Sequence, residues 1–131
     1  MVDVRKFASI IYSELGQGYS ESVYHNAFEV LLRIHGHPYE TERIVPLIFR
    51  EHIIGNVRCD IIIRNEIIVE LKSVAKIRPC DRIQIENYLR LTGLKSGFLV
   101  NFGPSLEVEE VSLQDIASQP PVNLSSTLED S

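Results

Sequence analysis

The chain has 131 residues, 44% of them hydrophobic and 24% charged, with a formal net charge of -5. That length suits one domain with a genuine core and is short for two, and the composition is that of an ordinary globular protein. No run approaches the roughly eighteen apolar residues of a membrane span, and no basic-then-apolar leader opens the chain, so the expected setting is intracellular (cytoplasmic or nuclear), neither secreted nor membrane-bound.

The charge is unevenly spread. Residues 1–105 hold all 13 Lys and Arg and 12 of the 18 Asp and Glu, a balance of +1, so the acidity belongs to the C-terminal end. It does not veto a polyanionic partner for the body. Cys59 and Cys80 lack metal-ligand spacing and are too few for a disulfide framework, so both are expected as free thiols.

In chain order, Asp3 is placed to cap a first helix with Phe7, Ile10, Ile11 and Leu15 on its apolar stripe, ended by Gly16. After "GQGYS", Ser20 is expected to cap a second helix carrying Val23, Tyr24, Ala27, Phe28 and Leu31 and stopped by Gly36. From Tyr39 the period shortens, and Pro46 within "YETERIVPLIFR" predicts an edge strand or a bulge. "IIGNVRCDIIIR" and "EIIVELKS" read as two strands joined by a turn at Arg64-Asn65-Glu66. Their Ile61–Ile63 and Ile67–Val69 runs predict burial on both faces at the sheet centre. "RPCDRIQIENYLRLTG" is helical, starting at Pro79 or Asp81 and ending at Gly93. "SGFLVNFG" and "LEVEEVSL" complete a mixed sheet. Residues 117–131 read as a polar, acidic tail free to dock on a partner protein, leaving 1–116 as the domain. The expected class is mixed α/β: a central sheet of four to five strands flanked by helices.

One strand carries a puzzle. In "EIIVELKSV" (Glu66–Val74), Glu70 and Lys72 share a face of an otherwise apolar strand. With a three-residue turn at 64–66, Ile63 pairs with Ile67 and Asp60 falls opposite Glu70, Cβ atoms about 5 Å apart. Two facing carboxylates in a buried sheet demand compensation. Lys72 offers one charge; a hard divalent ion such as Mg²⁺ offers a fuller answer, because it needs few protein ligands. The alternative is that both acids lie at strand ends in water, with Lys72 a simple ion-pair partner.

Asp60, a nine-residue gap and Glu70-Leu71-Lys72 resemble the D…ExK signature of the PD-(D/E)xK nuclease superfamily, with Cys59 where the signature has Pro. The α-β-β-β-α-β order resembles its restriction-endonuclease-like core. Gln84-Ile-Glu-Asn-Tyr88 is similar to the Q-x3-Y motif of its exonuclease-like members, and Gly18-Tyr-Ser-Glu21-Ser-Val-Tyr24 resembles the small stand-alone GxxExxY family. The similarity spans about residues 4–103, including "VRCDIII", "VELKSV", "IENYLRLTG" and "GFLVNFG". It implies Mg²⁺ (or Mn²⁺) held by Asp60, Glu70, the Leu71 carbonyl and Glu21. It also implies Lys72 beside the attacking water, and Gln84 and Tyr88 orienting that shell or the substrate.

Read without the resemblance, Glu21 merely complements a helix N-terminus, Tyr88 packs in the core and Gln84 is half exposed. Lys72, Lys76, Arg78 and Arg82 form the best candidate for phosphate contact, although charge runs are usually solvated surface. His25 follows Glu21 by one helical turn and borders the same region; His35, His37 and His52 share no spacing and read as surface. The expected function is a metal-dependent nuclease acting on DNA in preference to RNA. The alternative is a catalytically weak or inactive nuclease-fold module that binds nucleic acid or protein. A domain this small would need a homodimer to hold a duplex, and the sequence pattern singles out no dimer face.

Overall fold

The structure, a computed structural model, describes residues 2–117. Its elements are α1 (Val4–Leu15), α2 (Glu21–Ile34), β1 (Tyr39–Phe49), β2 (His52–Ile63), β3 (Ile67–Lys72), α3 (Pro79–Thr92), β4 (Ser96–Phe102), β5 (Leu106–Ser112) and α4 (Leu113–Ala117). The strands form one sheet in the order β1-β2-β3-β4-β5. β3 and β4 run parallel, connected through α3, and the other pairs are antiparallel. This mixed α/β arrangement has the layout of a restriction-endonuclease-like core.

Local chemistry accounts for most boundaries. The Asp3 carboxylate accepts the Lys6 N–H at 3.0 Å, and Gly16, at φ 70, closes α1. Ser20 occupies the N-cap position of α2 without capping it; its hydroxyl pairs with Ser22 at 3.0 Å instead. α3 begins with Pro79, whose missing N–H costs nothing there, and stops at Gly93 in the left-handed region. Ala117, the first residue of the expected tail, is the last residue of α4; residues 118–131 lie outside the described residues.

The turn at Arg64 and Asn65 (φ 54 and 55) sets Ile63 against Ile67, as its length predicts. Ile61, Ile62, Ile63, Ile68 and Val69 are all buried at the sheet centre. Alternate side chains feed two layers. Ile61, Ile63, Val69, Leu71, Val100 and Phe102 pack under α1 and α2 with Phe7, Tyr24, Phe28 and Leu32. Ile62 and Ile68 pack under α3 and α4 with Tyr88, Leu89, Leu94 and Ile116. Within the first layer the Tyr24 ring stacks on Phe102, centroids 4.3 Å apart, and its hydroxyl donates to the Gly16 carbonyl at 2.6 Å. The final tyrosine of the "GYSESVY" stretch is therefore a buried tie between loop and core, and it turns the start of α2 toward the sheet. Among the described residues no helix is long and apolar enough to cross a membrane.

Candidate functional site

The β2–β3 ladder stops at Ile61↔Val69, one step short of Asp60 and Glu70. On the other side of β2, Thr41↔Ile61 and Arg43↔Cys59 bracket an unpaired Glu42/Asp60 level, where Glu42 adopts φ 56. Cys59 faces the α3 layer and Ile61 the α1/α2 layer, so strict alternation breaks at Asp60. Irregularities of this kind free a residue from the ladder and re-aim it. The two acids then fill the gap crosswise: Glu70 Oε1 accepts the Asp60 N–H at 3.0 Å, and Asp60 Oδ2 accepts the Leu71 N–H at 3.1 Å. The expected juxtaposition is present, with side chains standing in for ladder bonds.

Glu70 is only 3% exposed. Burial pushes its carboxyl up to about 8, the charge of Asp60 adds to the rise, and the Asp60 N–H and the Lys72 charge oppose it. Burial likewise drives Cys59 and Tyr88 up to about 12, with the Glu70 charge as the next cause in both. Negative charge at Glu70 is thus poorly compensated by the groups around it.

Lys72 lies on the same face as Glu70 yet does not pair with either acid. Its ammonium donates to Gln84 Oε1 at 3.0 Å and lies 3.9 Å from Asp81 Oδ1. Gln84 Nε2 in turn donates to the Tyr88 hydroxyl at 2.9 Å. One helix face therefore supplies a chain from Tyr88 through Gln84 to the lysine, joining two motifs that are separate in the sequence. Tyr88 is buried in the core as well, so its packing and polar readings hold together.

Glu21, His25 and Glu29 of α2 form one wall of a cleft of about 370 Å³ whose other wall includes Thr41, Glu42, Asp60 and Leu71. His25 borders the site as expected and pairs with Glu29 at 2.9 Å. Among the described residues, however, no three His, Cys, Asp or Glu side chains converge as a metal-holding group. Glu21 shares the cleft with Asp60 but does not complete a three-carboxylate cage with Asp60 and Glu70.

The basic cluster is also less free than its sequence suggests. Arg78 is held by Asp81 through Nε at 3.0 Å and Nη2 at 2.8 Å, and Arg82 by Glu109 at 2.7 and 2.8 Å. These contacts hold the Asp81 and Glu109 carboxyls below the usual carboxylate range, the arginine hydrogen bond being the first cause in each. Lys76 is exposed and takes part in none of the ion pairs among the described residues.

Two groups had no assigned role in the sequence reading. Asp81, 3% exposed, touches both Arg78 and Lys72. Asn101 is fully buried: its side chain accepts the Val74 N–H at 2.9 Å and donates to the Val74 carbonyl at 3.0 Å and Glu107 at 2.8 Å. It fastens the loop that follows Lys72. A lone Asn inside "FLVNFG" was the available signal.

With this geometry in view, a family model described as the PD-(D/E)XK nuclease superfamily matches residues 2–112. A solved structure reported as "Crystal structure of SSO0001" resembles the chain with a TM-score of 0.56 at 21% identity, which bears on fold alone. The match covers 82% of this chain and 54% of that one, so the chain spans about half the length of the solved relative. No curated protein matches the chain.

Proposed function

The chain belongs to the PD-(D/E)XK nuclease superfamily, and we propose that it is a metal-dependent phosphodiesterase of the GxxExxY branch, acting inside the cell on DNA in preference to RNA. The observation that carries this reading is the crossed Asp60–Glu70 pair with Lys72 on the Glu70 face. The donor set fits a divalent cation: two adjacent carboxylates, one buried and raised to about 8, lack a cationic partner of their own. Asp60, Glu70 and the Leu71 carbonyl would hold Mg²⁺ or Mn²⁺, with Glu21 the further carboxylate at the cleft. When bound, the cation supplies positive charge to the scissile phosphate and acidifies water.

The protein's own part is positioning. Gln84 fixes the Lys72 ammonium on the Glu70 face, where it can orient the attacking water and stabilise charge developing on phosphate. Tyr88 fixes Gln84. Phosphate contact outside the centre is assigned first to Lys76, with Arg78 and Arg82 contributing less because two N–H groups of each are committed to Asp81 and Glu109.

A second reading, a nuclease-fold module that binds without turnover, is favoured by the missing three-group cage and the neutralised arginines. One experiment separates them: digestion of linear, circular and single-stranded DNA with Mg²⁺ or Mn²⁺, beside EDTA and Lys72→Ala controls. The nuclease reading expects metal-dependent cleavage that Lys72→Ala abolishes. Equal cleavage by both proteins indicates contamination. No cleavage on any substrate, with no Mg²⁺ or Mn²⁺ binding by calorimetry, selects the binding module.

A further inference from the structure

We propose that the distal part of the β1–β2 hairpin is the surface through which two copies of this chain associate. β3 pairs with β2 only over Ile61–Ile63, whereas β1 and β2 stay paired out to Phe49↔His52. The hairpin therefore runs on as a ribbon beyond the reach of β3. Val45 and Val57 turn toward the α3 layer. Ile44, Ile48, Ile53 and Ile54 lie on the opposite face, each between 60% and 69% exposed, while Phe49 sits at the tip on the Val45 face. The register sets Ile48 against Ile53, beside the bulge at Leu47/Ile48, and so gathers three of the four isoleucines at the ribbon's end.

The four isoleucines on one face present on the order of 400 Å² of apolar surface, within the range of the largest patch on a monomer, and such patches commonly mark interaction sites. It is also about half of the ~800 Å² per partner that a standard interface buries. An occupant of a different chemistry fits less well. For nucleic acid the ribbon would need several unpaired bases, yet Arg43 is bound to Glu40 and Arg58 lies 3.7 Å from Glu42, which leaves Arg50, over the Phe49 ring at 5.7 Å. Strand addition along β1 is blocked at Pro46, which has no N–H to give.

A second copy matches what remains. The patch is apolar and near charge balance, and the turn presents adjacent Arg50 and Glu51. A two-fold axis through the tip would set Arg50 of each copy against Glu51 of the other, as a self-complementary contact requires. Thr41 and Glu42, at the root of the same strand, line the cleft beside Asp60. Association through the ribbon thus holds two clefts in one fixed relation. The association itself does not depend on the nuclease reading.

Sedimentation of the full chain from about 1 to 100 µM, a span that brackets standard-size interfaces of moderate affinity, tests it. The wild type is expected to be dimeric at the upper end. Ile48→Lys/Ile53→Glu, an opposite-charge pair across the register, should be monomeric throughout, with unchanged circular dichroism because both side chains are already solvent-facing. Val30→Asp/Ile34→Asp, on the exposed face of α2, should remain dimeric. A monomeric wild type overturns the proposal without recourse to any variant. So does a folded ribbon variant that still dimerises, or loss of the dimer in the α2 variant. A monomer that associates only on duplex DNA, through the ribbon, reassigns the surface to nucleic acid and also overturns it.

Discussion

Asp60 and Glu70 are bound to each other's strand crosswise, each carboxylate accepting a backbone N–H that an unbroken ladder would have satisfied with a carbonyl. The arrangement keeps both carboxyls close while one is buried, so in the metal-free protein the site favours a proton on Glu70. The sign follows from the shift. A carboxyl raised from 4.5 to about 8 on folding contributes stability that is fully present below pH 4.5 and lost as pH rises through 8. In EDTA, thermal stability should therefore fall from about pH 5 to pH 8 and level off above, the whole effect being on the order of several kcal/mol. Millimolar Mg²⁺ should restore more stability at pH 8.5 than at pH 6, because at the lower pH it competes with the proton. Asp60→Asn should flatten the fall in EDTA. Melting temperatures that climb from pH 5 to 8 without metal would contradict the assignment.

The Tyr88–Gln84–Lys72 chain predicts graded losses in cleavage rate. Lys72→Ala removes the ammonium itself and should lower the rate by about 10²–10⁴-fold, the range for a positioned acid–base or charge-stabilising group. Gln84→Ala leaves the ammonium but removes its 3.0 Å acceptor, and should cost less. Tyr88→Phe deletes only the hydroxyl held by Gln84 and should cost least, with little loss of stability because the ring still packs on Leu89 and Ile62. Single-turnover rates on one substrate establish the order. If Tyr88→Phe is as damaging as Lys72→Ala, the hydroxyl touches substrate or metal and the chain is not its role.

The parts of this site that could be read in the sequence are those set by short-range geometry. A three-residue turn fixes the β2–β3 register, which is enough to bring Asp60 to Glu70. An i,i+4 spacing puts Gln84 and Tyr88 on one helix face. What could not be read depends on which of several partners a long side chain chooses. Lys72 turns to Gln84 and Asp81, not to the acids beside it in the sheet, and Arg78 and Arg82 turn to carboxylates on their own helix and on β5. The apolar ribbon was hidden for a related reason. Ile44, Ile48 and Ile53 alternate like core residues, but none of them is among the side chains packed under the helices.

Asp81 gives a stability prediction of opposite sign to Glu70. Its carboxylate accepts the Arg78 N–H at the start of α3, binds the Arg78 guanidinium and faces Lys72. The contact with Arg78 holds its pKa down, so its contribution is present above the ordinary Asp range and is lost as pH falls through the folded value. Asp81→Asn should cost about 1–3 kcal/mol at pH 7, from a weakened cap and a lost charge-assisted bond. Wild type and variant should converge once pH falls below the folded value. Chemical denaturation at pH 7 and in that acid range checks both parts, and an equal penalty at each would mean the carboxylate's charge plays no role.

Gly103 and Asn101 together secure the loop that leaves Lys72 toward α3. A Cβ at Gly103 would lie 2.4 Å from the Val74 carbonyl and 3.0 Å from the Asn101 amide nitrogen, closer than the loop tolerates without moving. The same carbonyl is the one Asn101 bonds, so displacing it loosens the loop's anchor as well as its packing. Gly103→Ala should destabilise the fold by about 1–3 kcal/mol, the usual cost of overpacking. If this loop presents Lys76 and Arg78 to phosphate, KM for DNA should rise more than kcat falls, since Lys72 keeps its contact with Gln84 on the neighbouring elements. Asn101→Leu removes three hydrogen bonds without adding the clash and should reproduce the KM effect. An unchanged KM in both, with stability reduced as expected, would show that the loop is structural and that phosphate contact lies elsewhere.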